Sequence, residues 1–461
     1  MKIRCLSTKA FLFLIALLWT LDGFCSNNML HTDGKTVAPP DIFCPRITTG
    51  KTGNNIKKKR KVKLFLATDV TRNVTWFLNQ HNDLKKNYFT GKFGVDNHPS
   101  GWDAGAYLRA YIDMYEASHD VRVLRNLDDL LTIVADGNDV LTGRVNDIKG
   151  TVMPGWGTRE YDYGPYGGER YSDMLTNALY AYPLAAFARI VKEDPRLTYE
   201  FGADADRYYG MVHDLYESHK PFVPDEESPY SDGTTGMYFA YPDNYYEDRQ
   251  DYSGIEAPIN WTVIIAEPLV EMYRASVAEG KPNNAYKDIV TEVGSYIWWN
   301  MSIKTTDSSD RYLTWYYWPA DIDPDSSTRM EDLTHGAHLA EFVVSLYDAN
   351  IRNQWNRVRI QYLANTFTFG AVIGDIYFSN YIDGTGGIYK DDAATLYEWL
   401  ELQQYSHESS RNTISFYIQN AIRNEGNDEK YNIAVFAKFM RYGRDYSAGI
   451  LALSPDQAGG S

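Results

Sequence analysis

The sequence has few cysteines and, beyond its N-terminus, no long apolar run. Only three of its 461 residues are cysteine, and Cys5 and Cys25 lie in the N-terminal apolar stretch, so Cys44 is the one thiol left if the chain is cut after residue 25. An internal disulfide framework is then excluded, and the fold must rest on a hydrophobic core. No later stretch approaches the roughly 20 apolar residues that a membrane-spanning helix needs.

Residues 1–25 predict a secretory signal peptide, because basic residues precede the apolar run 11–19 and a region of small residues follows it. We therefore expect a secreted protein, extracellular or periplasmic. Residues 26–65 include the basic run 57–63 and predict a disordered pro-segment or linker. Residues 66–455 are expected to form a single domain.

The formal net charge is −16, which argues against nucleic acid as the main partner, since a phosphate backbone needs a positively charged surface. The 37 tyrosines and 11 tryptophans cluster in polar loops. Amphipathic rings beside carboxylates and amides suit sugars, which offer an apolar face and hydroxyl groups. Structural tyrosines of a helical barrel are the alternative explanation.

From about residue 100 the apolar residues recur at the three-and-four spacing of amphipathic helices, with no convincing run of alternating strands. The predicted helices are 103–118, 122–135, 172–192, 205–217, 262–278, 285–301, 333–349, 355–368, 393–404, 411–423 and 430–441. A signature recurs near the end of three of them: Met114-Tyr115-Glu116-Ala117, Met272-Tyr273-Arg274-Ala275 and Leu346-Tyr347-Asp348-Ala349. This recurrence predicts a repeated helical hairpin.

Helical hairpins repeated in this way stack into an open solenoid or close into an (α/α) toroid. The loops 138–171 and 219–260 are too long for simple turns, and loops of that length are usually functional. A toroid gathers such loops at one end, above a central cavity. The sequence therefore predicts an all-α fold, an (α/α) barrel with its long loops at one end, acting as a monomer or weak oligomer.

The segment 329–338 is the strongest candidate for chemistry. Asp332 or Thr334 can cap the helix that follows, because a short oxygen side chain accepts its free backbone N–H groups. His335 then lies near the helix end beside carboxylates that orient its ring and raise its basicity, which suits a general base. A capping box with a partly buried histidine is the structural alternative.

Other polar and aromatic residues precede or begin the predicted helices. Asn260 begins one of them; it is a candidate for contact with a substrate carboxylate, a simple N-cap, or a glycosylation site within Asn260-Trp261-Thr262. The remaining candidates for substrate binding are Trp102, Asp103, Arg170, Asn177, Trp261, Trp315, Tyr317 and Tyr381.

β-Elimination on a uronate polysaccharide fits these residues best. It needs a group that neutralises the uronate carboxylate, a base that removes the C5 proton and an acid that protonates the leaving O4. Asn260, His335 and Tyr389 would supply all three without a metal or other cofactor. The expected partner is an acidic polysaccharide.

The order of these motifs resembles that of the (α/α)-toroid polysaccharide lyases, most closely the glucuronan and alginate lyases of polysaccharide lyase family 38. The similarity spans roughly residues 100–405 and is carried by Pro258-x-Asn260-Trp261, Trp315-x-Tyr317-Trp318-Pro319, Glu331-Asp332-Leu333-Thr334-His335-Gly336 and Ile382-Asp383-Gly384. The resemblance implies an active site of Asn, His, Arg and Tyr, with Asn260, His335 and Tyr389 at three of the positions. The loop 378–389 holds no arginine, so Arg329 or Arg170 would stand in.

Three other functions remain open. A glycoside hydrolase on the same barrel would pair carboxylates such as Asp103 with Glu331 or Asp332. A uronate C5-epimerase would share the proton abstraction and leave the bond at C4 intact. A non-catalytic barrel would bind carbohydrate or serve as a scaffold between proteins.

Overall fold

The computed structural model describes the central and C-terminal parts of the chain with several gaps. The described residues are 65–66, 70–93, 101–159, 168–225, 235–242, 245–247, 250–319, 329–351, 354–373, 377–389, 393–406, 414, 418, 432–442 and 450–451. The predicted signal peptide and nearly all of the predicted pro-segment lie outside them, so those two assignments and the boundaries of the catalytic domain stay predictions.

The described residues are mainly helical. The helices in chain order are α1 Val70–Asn79, α2 His81–Leu84, α3 Gly101–Ser118, α4 Val121–Asp136, α5 Asp139–Thr142, α6 Met174–Glu193, α7 Thr198–His219, α8 Ile259–Ala278, α9 Asn284–Trp299, α10 Leu333–Asp348, α11 Arg357–Asn365 and α12 Asn432–Tyr442. π-Helical turns at Lys85–Phe89 and Thr366–Gly370 extend α2 and α11, and a 3₁₀ helix spans Ala393–Tyr405. None of the described helices is long and apolar enough to cross a membrane.

Six of these elements close into an inner ring. In order around the ring, each packs on the next: α3, α6, α8, α10, the 3₁₀ helix and α12, which returns to α3. Outside the ring, α4 packs on α3, α7 on α6, α9 on α8, and α11 on the 3₁₀ helix. The predicted (α/α) barrel of helical hairpins is confirmed.

Most of the predicted helices match observed ones to within a few residues, apart from α7, which starts seven residues before its predicted position; α1, α2 and α5 were not predicted. The predicted helix 393–404 is present as 3₁₀ helix, and most of the predicted helix 411–423 lies outside the described residues. The three copies of the Tyr-containing signature lie at or near the ends of α3, α8 and α10, which are all inner helices. The recurrence thus marks the same position in successive hairpins.

Connection lengths alternate around the barrel. Short connections lead from α3, α6, α8 and α10 to the outer helices that follow them, as at 119–120 between α3 and α4 and at 194–197 between α6 and α7, and short connections join antiparallel neighbours. Trp102, Leu179 and His335, near the starts of α3, α6 and α10, line one cavity, so these inner helices run in one direction. The long connections lead from outer to inner helices and therefore gather where the inner helices begin, as the sequence predicts.

The long loops hold short β-hairpins that the apolar pattern does not reveal. The strands are β1 Phe65–Leu66, β2 Val145–Asn146, β3 Thr151–Val152, β4 Phe222–Asp225, β5 Gly236–Phe239, β6 Tyr246–Glu247, β7 Gln250–Asp251, β8 Ser302–Thr305, β9 Arg311–Thr314, β10 Val372–Ile373, β11 Tyr377–Phe378 and β12 Ile450–Leu451. They pair antiparallel in two-stranded sheets, β1 with β12 and otherwise each with its neighbour along the chain; for example, Phe222 lies opposite Phe239. Strands of two to four residues are too short for a periodic signal.

Polar side chains at helical spacing cross the barrel lumen in layers. On α3, Trp102, Ala106 and Arg109 follow one another at intervals of three and four residues, so they descend one face of the helix. His338 and Glu341 descend α10 in the same way. The lumen therefore has an aromatic upper layer near the long loops and a charged layer below it.

The charged layer is buried and ion-paired. Arg109 forms a bidentate pair with Glu267, and its Nη1 lies 2.5 Å from Glu341 Oε2. Lys438 lies 2.8 Å from Glu341 Oε1, also contacts Glu401, and is fully buried. Burial raises the pKa of Glu341, but the charges of Arg109 and Lys438 outweigh it and hold the pKa at about 2. These charges tie α3, α8, α10, the 3₁₀ helix and α12 together.

Replacing Lys438 with methionine tests how much this layer stabilises the barrel. The substitution keeps the volume but removes the ammonium between Glu341 and Glu401, so that Glu341 keeps only Arg109 as a partner and Glu401 loses its contact with Lys438. Breaking a buried pair from one side costs about 3–5 kcal/mol, and we expect a loss of that size in the free energy of unfolding by urea. Arg125→Met, which removes an exposed partner of Glu200, should change little. Equal losses in both variants would contradict a structural role for the layer.

Candidate active site

Asp332 is the N-cap of α10, and the predicted capping is confirmed. Its Oδ1 accepts hydrogen bonds from the backbone N–H groups of Thr334, at 3.1 Å, and of His335, at 2.9 Å. The N–H groups at a helix start have no partners within the helix, so a carboxylate there is held firmly. The cap fixes the position of Asp332 and the direction from which the α10 side chains enter the lumen.

The other oxygen of Asp332 binds the ring of His335. Oδ2 lies 2.5 Å from His335 Nδ1, and Arg329 Nη2 lies 3.6 Å from the same oxygen. Burial raises the pKa of Asp332, but His335 and Arg329 together outweigh it and keep the pKa below its usual value. An ionised Asp332 accepts the proton of Nδ1, so Nε2 is the ring nitrogen available to a ligand.

Glu331 lies behind this pair and is buried. Trp315 Nε1 lies 3.3 Å from Glu331 Oε2, and the backbone N–H of Asp332 donates to Oε1 at 3.1 Å. Burial, assisted by the charge of Asp332, raises the pKa of Glu331 to about 8. Two adjacent carboxyl groups thus differ in charge at neutral pH, with Glu331 protonated and Asp332 ionised.

The loop 377–389 covers the start of α10 through backbone pairing. Leu333 N donates to Asn380 O at 3.0 Å, and Ile382 N donates to Glu331 O at 3.1 Å. Tyr389 Oη lies 2.7 Å from Thr334 Oγ1. Gly386 has φ +79°, and a Cβ at that position would lie 2.5 Å from the Tyr381 ring, so glycine is required there.

Two cavities meet at the start of α10. We call the outer one the mouth cavity; it measures about 650 Å³ and is lined by Arg329, Asp332, Thr334, His335, Asn380, Tyr381, Gly386, Gly387, Ile388 and Tyr389. We call the inner one the barrel cavity; it measures about 240 Å³ and is lined by Trp102, Ala106, Arg109, Leu179, Thr334, His335, His338, Tyr397 and Glu398. Thr334 and His335 line both.

A second carboxylate–imidazole pair lies in the barrel cavity. His338 Nδ1 lies 2.6 Å from Glu398 Oε2, and both side chains are largely buried. The indole of Trp102 lies against the ring of His338, with a centroid distance of 5.4 Å. The barrel cavity therefore combines a carboxylate with an aromatic wall.

The structure brings several of the predicted site residues together. Arg329, His335, Tyr381 and Tyr389 line the mouth cavity, and Trp102 lines the barrel cavity. The rest of the group adjoin them: the Tyr317 ring lies 5.7 Å from the His335 ring and 4.5 Å from the Arg329 guanidinium carbon, and Trp315 contacts Glu331.

Four predicted residues serve other contacts. Asn260 is 2% exposed, and its Oδ1 accepts a hydrogen bond from the backbone N–H of Trp261. Trp261 packs against Tyr241, with a centroid distance of 5.0 Å. Arg170 is buried with its Nη2 2.5 Å from Asp139 Oδ1. Asn177 is buried and accepts from the backbone N–H of Trp156 at 2.7 Å.

Asp103 lies on the first turn of α3, next to Trp102, and is not among the residues that line either cavity. None of these five placements tests a catalytic role directly, so the roles of Asn260, Arg170, Asn177, Trp261 and Asp103 stay predictions.

The sequence did not single out three residues of the barrel cavity, Arg109, Tyr397 and Glu398, and it gave His338 no role although His338 ends the candidate segment 329–338. His338 follows His335 by three residues, a spacing that places both on one helix face, so helical spacing could have assigned it to the site. Glu398 lies about 60 residues further along the chain on another inner helix. Its proximity is set by closure of the ring, which no local pattern reveals.

Glu331, Asp332 and His335 each place one potential ligand atom within 4.8 Å of the others. A cation there would displace the proton between His335 and Asp332 and would need Glu331 ionised, against the direction of its pKa shift. The prediction of a site that works without a metal stays a prediction.

Comparisons with known proteins found similarity among solved structures. No protein-family model matches the chain, and no curated protein matches it. A solved structure does: an inactive variant of the α-1,6-mannanase GH76A of Salegentibacter sp. HEL1_6 in complex with α-1,6-mannotriose, with a TM-score of 0.45 and 11% identity, covering 82% of this chain and 100% of that chain. At that identity and TM-score the match carries no argument about the substrate of this chain.

The prediction of a uronate lyase is corrected by this finding. The matching structure is that of a glycoside hydrolase, and no family model or curated protein supports the lyase family. Asn260, on which the motif relied, lies inside the first turn of α8, where Pro258 is the N-cap, and its Oδ1 accepts from the backbone N–H of Trp261. Asn260 is buried and is not among the residues that line either cavity with His335.

The raised pKa of Glu331 predicts a pH-dependent stability. Between its ordinary value of 4.5 and its value of about 8 in the fold, the folded chain holds a proton that the unfolded chain loses. This contribution to stability is present at low pH and is lost as the pH rises to 8, by about 1.4 kcal/mol per pH unit. In Glu331→Gln the fall in unfolding free energy between pH 5 and 8 should be shallower by that amount.

Glu217→Gln, which changes an exposed carboxylate of α7, is the matched control and should keep the wild-type slope. If Glu331→Gln also kept that slope, Glu331 would be ionised in the fold.

Proposed function

We propose that the protein is a glycoside hydrolase that cleaves a glycan at the junction of the mouth and barrel cavities. One observation carries the proposal: two carboxylate–imidazole pairs, Asp332 with His335 and Glu398 with His338, line a continuous site with an aromatic wall. Paired acid and base groups flanking a bond are what glycoside hydrolysis requires. This is the arrangement of paired carboxylates that the sequence left open, with Glu398 in place of Asp103.

The roles follow from the surroundings of each pair. Asp332 is held ionised and orients His335, so His335 Nε2 removes a proton from water as the water attacks the anomeric carbon. Glu398 lines the barrel cavity together with Trp102 and, in its carboxylic acid form, protonates the leaving glycosidic oxygen. His338, whose Nδ1 lies 2.6 Å from Glu398 Oε2, takes a proton from solvent and returns it to Glu398. The ring faces of Trp102 and Tyr381 offer surfaces on which a sugar ring stacks.

The site favours a neutral glycan over an acidic one. Of the two arginines that line the cavities, Arg109 is neutralised by Glu267 and Glu341, and Arg329 lies beside Asp332. Neither is held as a bidentate partner for a substrate carboxylate. A secreted location suits an enzyme that meets polymeric glycans, and it remains part of this proposal.

Two amide substitutions test the roles. Asp332→Asn keeps an oxygen that can cap α10 but removes the charge that orients His335, and Glu398→Gln keeps the shape of the proton donor. Each should lower the release of new reducing ends from a panel of neutral glycans by 10²–10⁴-fold, the typical contribution of general acid–base catalysis. Thermal unfolding should show that both variants fold.

Asp288→Asn is the matched control, because Asp288 is an exposed carboxylate of the outer helix α9. It should keep wild-type activity. Undiminished release of reducing ends by Asp332→Asn or Glu398→Gln would contradict the assigned roles, and no release from any glycan by the wild type would contradict the function.

A further inference from the structure

Among the described residues, the barrel cavity ends at the charged layer. Arg109 lines it, and the two carboxylates that Arg109 binds, Glu267 and Glu341, line a separate cavity on the other side of the charged layer. The ion pairs therefore form a partition across the lumen, which we call the septum, defined by Arg109, Glu267 and Glu341. All three side chains are at most 4% exposed.

The contacts of Arg109 hold the septum in place. Arg109 is bound by two carboxylates at once, and its guanidinium carbon lies 3.7 Å from the centroid of the Tyr182 ring. Opening a passage would leave a charge of each sign unpaired in the core, which is strongly unfavourable. Within the described part of the chain, the septum therefore closes the direct path of a polymer from the mouth to the opposite end of the barrel.

The barrel cavity is smaller than the mouth cavity, and this difference limits how many sugar units of a glycan each can hold. The barrel cavity, at about 240 Å³, is smaller than the roughly 300–1,000 Å³ of pockets that enclose drug-sized ligands, so it accommodates about one sugar ring. The mouth cavity, at about 650 Å³, falls within that range and has room for the units that follow. His335, which lines both, lies at the boundary between the first unit and the second.

We infer that the barrel cavity is a terminal subsite: it receives one end of a glycan chain, and cleavage releases the single terminal unit. The inference rests on the proposed hydrolase function and adds to it the mode of attack. Water adds across the bond between the enclosed ring and its neighbour; the proton from Glu398 goes to the leaving oxygen and the hydroxyl group to the anomeric carbon. Trp102 forms the wall against which the enclosed ring packs.

The size of the first products tests the inference. Linear oligosaccharides of the glycan that the wild type cleaves would be digested for short times and separated by length. We expect the terminal monosaccharide and the chain shortened by one unit, with intermediate lengths appearing in sequence, and almost no early fall in the viscosity of the polymer. Fragments from the middle of the chain among the first products would overturn the terminal subsite while leaving the hydrolase function intact.

Total reducing ends, measured in the same digests, report on the function separately. If the wild type releases no reducing ends from any glycan, the proposed function fails, and the terminal subsite fails with it.

Filling the cavity provides a second test. In Ala106→Phe the added ring would occupy the space between Trp102 and Arg109, and we expect cleavage to fall about 100-fold, as for a displaced substrate. Ala203→Phe makes the same change at an exposed position of the outer helix α7 and should cleave normally. Thermal unfolding would verify that both variants fold, and wild-type cleavage by a folded Ala106→Phe would overturn the subsite.

Discussion

The pairing of Arg109 with Glu267 and Glu341 is the interaction on which the architecture of the lumen depends. It joins residues of three inner helices that are more than 70 positions apart in sequence, and it divides the interior into two compartments. A toroid needs a filled lumen, and most of the core of this one is apolar. Charged side chains occupy its centre, where Arg109 contacts two acids and Lys438 three, and the barrel cavity lies above them.

The site depends on the same repeat of helical hairpins that forms the fold. Inner helices run in one direction, so their first turns meet at the end where the long loops lie. A cap at the start of α10 then places Asp332, His335 and His338 on one wall, while the 3₁₀ helix brings Glu398 opposite Trp102 within one cavity. Backbone pairing of Leu333 with Asn380 and of Ile382 with Glu331 fixes the loop that forms the mouth. The carboxyl and imidazole groups of the site are therefore positioned by helices that pack against their neighbours in the inner ring.

Local sequence patterns predicted much of the fold and part of the candidate site. Apolar spacing predicted the helices and their arrangement in hairpins, because an amphipathic helix must repeat its apolar residues along one face. The Asp332 cap and the position of His335 beside it were also predictable, since capping and helix spacing act over three or four residues. Glu398 and Arg109 were not, because only the closed ring brings them near His335. The lyase assignment failed for a related reason: it relied on the local motif around Asn260, and the burial of Asn260 away from both cavities is a property of the folded barrel.

The mass of the products is the most direct test of hydrolysis at this site. A neutral oligosaccharide would be incubated with the wild-type protein and with Glu398→Gln, and the products weighed by mass spectrometry. The account predicts that the fragments together weigh one water more than the substrate, and that they form far more slowly with the variant. Fragments whose combined mass equals that of the substrate, with no water added, would show a different bond-breaking chemistry and contradict the account.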